Sequence, residues 1–93
     1  MKPGETQAAV VRILYFARLR EALDRSEEEL VLPEGVGDVG SLLTFLRERG
    51  GAWANELAPG KAVRAAVNQD MSDAQATIKG GDEIAFFPPV TGG

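Results

Sequence analysis

The chain has 93 residues, a net charge of −4 at neutral pH, 44% hydrophobic and 26% charged residues, and neither cysteine nor histidine. That composition suits one ordinary globular domain and excludes disulfides, thiol nucleophiles, zinc sites of the usual kind and the commonest general base. The negative charge argues against nucleic acid as a partner, no apolar run approaches the ~20 residues of a membrane span, and no signal-peptide pattern is present, so a cytoplasmic, metal-free protein is expected.

Residues 1–9 are polar and hold Pro3 and Gly4, and they read as a disordered lead-in to a single domain over residues 10–93. Ala9 to Phe16 is rich in β-formers and apolar on both faces apart from Arg12, which predicts a central strand with much of each face covered. Ala17 to Leu23 predicts a short helical turn, with Leu19 and Leu23 four apart and able to share a face. Glu27, Glu28 and Glu29 read as a solvated rim rather than a pair for acid–base work. Leu30 to Leu32 is a second strand, ended by Pro33, Glu34 and Gly35.

Asp38 stands where a helix N-cap belongs, and Val39, Leu42, Leu43 and Leu46 follow it at the spacing of one buried helical face. Arg47 and Arg49 suit the last turn against the helix dipole, and Gly50-Gly51 supplies a stop. Trp53 and Leu57, four apart, predict a brief second helical piece, with Trp53 covering the core. Lys61 to Val67 reads as a third strand, turned by Asn68, Gln69 and Asp70, and Thr77-Ile78 as a short strand or bend.

Lys79 to Asp82 is a turn into a last apolar strand, Ile84 to Phe87, which Pro88 and Pro89 end because neither can donate to a ladder. In that strand one of Phe86 and Phe87 faces inward and the other outward. Residues 88–93 form a tail without a charged side chain, closing on Gly92 and Gly93 with a carboxylate as its one reactive group. Glycine lacks a Cβ and fits a narrow channel in a partner. A carboxylate donates its acyl group only after activation, so a functional Gly93 implies an ATP-using partner. One main helix against a mixed sheet of four or five strands is an α+β arrangement. If the first and last strands pair in parallel, it is a β-grasp sheet curled round the helix, with the tail leaving free.

Several stretches carry a family resemblance. They are Phe16-Ala17-Arg18-Leu19-Arg20-Glu21, Val67-Asn68, Gly81 through Val90, and the final Thr91-Gly92-Gly93. From about Val10 to Gly93 the chain resembles the small subunits of molybdopterin synthase, a family of ubiquitin-like sulfur carriers. The Phe16–Glu21 stretch separates this group from thiamine-pathway carriers, which usually lack it. Gly80 stands where the family often has Asp, and Thr91 where Ser is common.

The resemblance implies that the chain is no enzyme on its own, binds no permanent cofactor, and is the sulfur-donating subunit of a heterotetramer. A ubiquitin-activating-like enzyme would use ATP and magnesium to form an acyl-adenylate at Gly93. Sulfur from a cysteine desulfurase system, delivered as a persulfide, would displace AMP and leave a thiocarboxylate. The tail would then enter the large synthase subunit and donate sulfur to cyclic pyranopterin monophosphate. In this scheme Gly93 carries the chemistry and Gly92 gives it clearance. Val90 and Thr91 would line the partner channel beyond Pro88 and Pro89. Phe87 and Phe16 are candidates for an apolar docking surface, though Phe16 reads equally as core. Arg18 and Arg20 are interface salt-bridge partners or a solvated turn, and Asp82 and Glu83 are turn and strand-start residues. A carrier for thiamine or tRNA thiolation, and a ubiquitin-like modifier or binding module, are the alternative readings.

Overall fold

The structure is a computed structural model that describes residues 9–89. Strand β1 (Val10–Tyr15) is followed by helix α1 (Ala17–Leu23), β2 (Glu27–Val31), α2 (Val39–Arg47), α3 (Gly51–Glu56), β3 (Arg64–Val67), β4 (Asp70–Ser72) and β5 (Glu83–Phe87). The strands form one sheet in the order β2-β1-β5-β3-β4. β1 and β5 lie side by side in parallel, Arg12 opposite Glu83 and Tyr15 opposite Phe86. Every other pairing is antiparallel. This is the α+β β-grasp arrangement that the sequence predicts.

The core sits on one face of the sheet. Val11, Ile13 and Tyr15 of β1 and Ile84 and Phe86 of β5 point into it, and they meet Leu19, Leu23, Val39, Leu42, Leu46 and Leu57 from the helical layer. β1 is central in the sheet as expected, but the expectation that much of each face is covered is corrected for one face. Its alternate residues, Val10, Arg12 and Leu14, lie on the opposite face, which no helix covers, and remain half-buried or exposed. Apolar residues on an uncovered face imitate a two-sided strand in sequence, because composition does not record what lies above each face.

Asp38 caps α2 as its position predicts. Its Oδ1 accepts from the Ser41 amide at 2.8 Å, while the Ser41 hydroxyl oxygen accepts from the Asp38 amide at 3.2 Å, so free donors at the helix start are satisfied reciprocally. The helix ends at Arg47, and Gly51 opens α3 rather than serving only as a stop. β3 begins at Arg64, not Lys61, and β4 is an additional strand. The reason is the turn between them: Asn68 and Gln69 have φ of 52° and 73°, the handedness that sends a chain straight back along itself. Thr77 makes a single bridge to Asp38, which suits the predicted bend.

β2 begins at Glu27, so the acidic triplet is a strand and not a rim. Alternation turns Glu28 toward the core side, where its side chain is only 10% exposed. The Glu28 carboxylate accepts from both terminal nitrogens of Arg49 at 2.9 and 3.0 Å, from Arg25 at 3.1 Å, and from the Tyr15 hydroxyl at 2.7 Å. Trp53 covers the same spot, its ring edge-on to Tyr15 at 5.5 Å and its face under the Arg49 guanidinium at 4.4 Å. Burial pushes the Glu28 carboxyl up, but the hydrogen bonds from Arg49 and Tyr15 and the charges of Arg49 and Arg25 outweigh it and hold the group below its ordinary value.

Glu28→Ala should lower the free energy of urea unfolding by about 2–3 kcal/mol, since it strands a buried hydroxyl and a guanidinium. The neighbouring Glu27→Ala, on an exposed ion pair with Arg12, should change it by less than about 0.5 kcal/mol.

Candidate functional site

β5 delivers the C-terminal segment, and three of its neighbours fix where that segment starts. Phe86 is fully buried and its ring stacks with Tyr15 at 6.3 Å. The Phe86 carbonyl accepts from the Phe16 amide at 3.1 Å, so the end of β5 is tied to the residue between β1 and α1. Phe87 points to the uncovered face opposite Arg64 of β3, and Pro88 and Pro89 follow it half-buried.

Phe16 is 45% exposed, which decides between the two readings of it: it is a surface aromatic and not a core residue. Its extended backbone continues the alternation of β1 and puts it on the same face as Leu14. The turn that follows is strained, because Ala17 has φ of 54°, a conformation that costs a residue with a Cβ about 1 kcal/mol. Leu14, Phe16, Ala85, Phe87, Met71 and Pro89 therefore make one apolar surface at the point where the tail leaves. Phe87, Met71, Pro89 and Arg64 line a groove of about 320 Å³ within it.

The opposite end of β5 is locked by a polar clamp. The Asp82 carboxylate, 6% exposed, accepts from the Asn68 side-chain amide at 3.0 Å, the Lys79 backbone amide at 2.9 Å and the Lys79 ammonium at 3.3 Å. The Asn68 side-chain oxygen in turn accepts from the Glu83 amide at 3.0 Å, and the Asn68 amide donates to the Glu83 carbonyl at 2.8 Å. The clamp fixes the register of β5 against the β3–β4 hairpin. The Asn68 hydrogen bond is the main cause that holds the Asp82 carboxyl below its ordinary value, against burial and with help from Lys79.

Of the predicted site residues, Phe16, Phe87, Pro88 and Pro89 are brought together. Arg18 is not among them: it sits on α1 with its Nε 3.5 Å from Glu56 Oε1 of α3, an ion pair inside the chain. Val90, Thr91, Gly92 and Gly93 lie outside the described residues. Met71 and Arg64 belong to the apolar surface and were not expected there, because the β3–β4 hairpin that places Met71 was not foreseen. Asp82 is the turn residue expected, and its burial follows from the Asn68 side chain that folds over it. No group of three or more Asp or Glu side chains among the described residues is arranged to hold a metal ion.

Comparison with known proteins gives a consistent result. Residues 13–93 match the model of the ThiS family. Molybdopterin synthase sulfur carrier subunits from Haemophilus influenzae and Escherichia coli are each 36% identical over 84 residues, covering 90% of this chain and 100% of the relative. Among solved structures, a complex of subunits 1 and 2 of molybdopterin-converting factor from Helicobacter pylori shares the fold, with a TM-score of 0.61 at 21% identity over 90% of this chain and 99% of that one.

The clamp makes stability depend on pH with a definite sign. Asp82 titrates lower in the folded chain than its ordinary 3.8, so it stabilises the fold above about pH 4, and that contribution is lost as pH falls through the folded value. Asn68→Ala removes the chief cause of the shift and puts at positive φ a residue that tolerates it less well than asparagine; about 2–3 kcal/mol of stability should disappear at pH 7. Thermal melts from pH 7 to pH 3 should then show a smaller acid-induced fall in Tm for the variant than for the parent chain.

Proposed function

The chain belongs to the ThiS family, and from that premise we propose that it is the sulfur-carrier small subunit of a molybdopterin synthase. The observation that carries this reading is the coupling of two features: an uncovered apolar surface on the sheet, and a β5 whose last residues run from that surface into the Gly-Gly tail. A large subunit docked on the surface receives the tail without any rearrangement of the domain. The carrier supplies position, and the partner supplies the reacting groups.

The cycle begins at an adenylating enzyme. The Gly93 carboxylate attacks the α-phosphorus of ATP, pyrophosphate leaves, and an acyl-adenylate remains. Persulfide sulfur from a cysteine desulfurase system displaces AMP at the acyl carbon to give an acyl disulfide; a second thiol of the delivering protein then attacks the inner sulfur, forms a disulfide there and releases the thiocarboxylate. The loaded tail then passes to the large subunit, where cyclic pyranopterin monophosphate receives the sulfur and Gly93 returns to a carboxylate. Within this cycle Phe16, Phe87, Pro88 and Pro89 dock, and Val90, Thr91 and Gly92 thread the channel. Each partner must read the same root, since the domain has one tail. The absence of cysteine and histidine from the sequence agrees with a carrier whose only reactive group is its terminus.

Intact mass after incubation with ATP, an adenylating enzyme and a sulfur source should rise by the difference between one sulfur and one oxygen. Deleting Gly93 should abolish the rise and leave Tm unchanged; a persistent absence of any rise with competent activating enzymes would overturn the sulfur-carrier reading. Phe87→Glu should leave the fold intact, because the side chain points outward, and weaken co-purification with the large subunit by at least tenfold, roughly the loss of one anchoring aromatic.

A further inference from the structure

Most arginines of this chain already have an anion. Arg12 meets Glu27, Arg18 meets Glu56, and Arg25 and Arg49 meet Glu28. Arg64 differs. It is exposed at the start of β3, and no carboxylate among the described residues pairs with it. Its neighbours in the groove are Met71, Phe87 and Pro89, all apolar. A guanidinium in such a place is tolerable while water reaches it. Once a partner covers the groove, its hydration is lost, and an unpaired buried charge costs several kcal/mol. The surface that covers Phe87 must therefore either avoid Arg64 or bring it an anion.

Avoidance is blocked by position. Arg64 stands directly across the ladder from Phe87 and lines the same groove, so a surface that covers the aromatic also meets the Arg64 side chain. Resting on the docking reading above, we infer that the large subunit presents a carboxylate opposite Arg64, paired through the planar two-nitrogen fork. The side chain thus acts as a selectivity determinant for the docking partner: a surface with a neutral or basic group at that point is rejected, and one with Asp or Glu is accepted. A second copy of this chain does not satisfy the site in a two-fold arrangement centred on the groove, since Arg64 would then oppose Arg64.

Titration of the large subunit from the same organism with the full-length carrier tests this at low and high salt, with circular dichroism melts to establish folding. Arg64→Ala should raise Kd by roughly 30-fold or more and remove most of the salt dependence. Arg64→Glu should raise it further, and Arg64→Lys should retain part of the affinity because it keeps the charge without the fork. An Arg64→Ala carrier that binds within about threefold of the parent at both salts would overturn the inference alone while leaving the docking reading in place. A parent carrier that fails to bind the large subunit would instead overturn the docking reading and this inference with it. Arg64-dependent dimers of the isolated carrier in sedimentation would assign the groove to a second copy and refute the partner carboxylate.

Discussion

The parallel pairing of β1 with β5 is the constraint on which the rest depends. It joins the beginning and the end of the domain at the centre of the sheet, with β2 outside one and the β3–β4 hairpin outside the other. Parallel neighbours cannot be joined by a tight turn, so the whole remaining chain becomes the crossover, and its helices all fall on one face. The opposite face is left uncovered. Because β5 is last and central, the tail must leave from the middle of the sheet end, beside Phe16 and Phe87, and not from a frayed edge. The uncovered apolar face and the central exit of β5 are thus two consequences of one ladder.

What holds the helical layer to this sheet is partly polar. Glu28 gathers Arg25, Arg49 and the Tyr15 hydroxyl at one point, and Tyr15 is the residue that stacks on Phe86. A buried carboxylate is tolerated there because its acceptor sites are filled by guanidinium and hydroxyl donors, with Trp53 shielding them. This ties β2, the end of α2 and α3 to the strand pair that aims the tail. At the other end of β5, Asp82 and Asn68 do the same for the hairpin. The central strand pair is held by two polar clamps at different heights around an apolar centre.

Much of this was legible in the sequence, and the parts that were not share a cause. α1, the Asp38 cap, the α2 face, β5 and the inward–outward split of Phe86 and Phe87 follow from local spacing, which the chain carries in itself. Glu28 was misread because three adjacent acids look solvated until a strand alternates them, and its arginine partners lie 3 and 21 residues away. β4 was missed because its three residues have little strand character of their own and depend on the reversal at Asn68-Gln69. Phe16 could not be decided, since an aromatic after a strand suits core and surface alike until the covering layer is known. The tail chemistry came from resemblance and from the composition of the last residues, not from any geometry.

The central ladder also sets how the domain meets mechanical load. β1 runs away from the amino-terminal end and β5 runs toward the tail, in the same direction and side by side, with Arg12–Glu83 through Tyr15–Phe86 in register. A force that pulls the tail while the beginning of β1 is held slides the two strands past each other. All of their hydrogen bonds then bear the load together, instead of opening one after another from an end. The domain therefore resists tension along this axis more strongly than it resists a pull that peels an edge strand away.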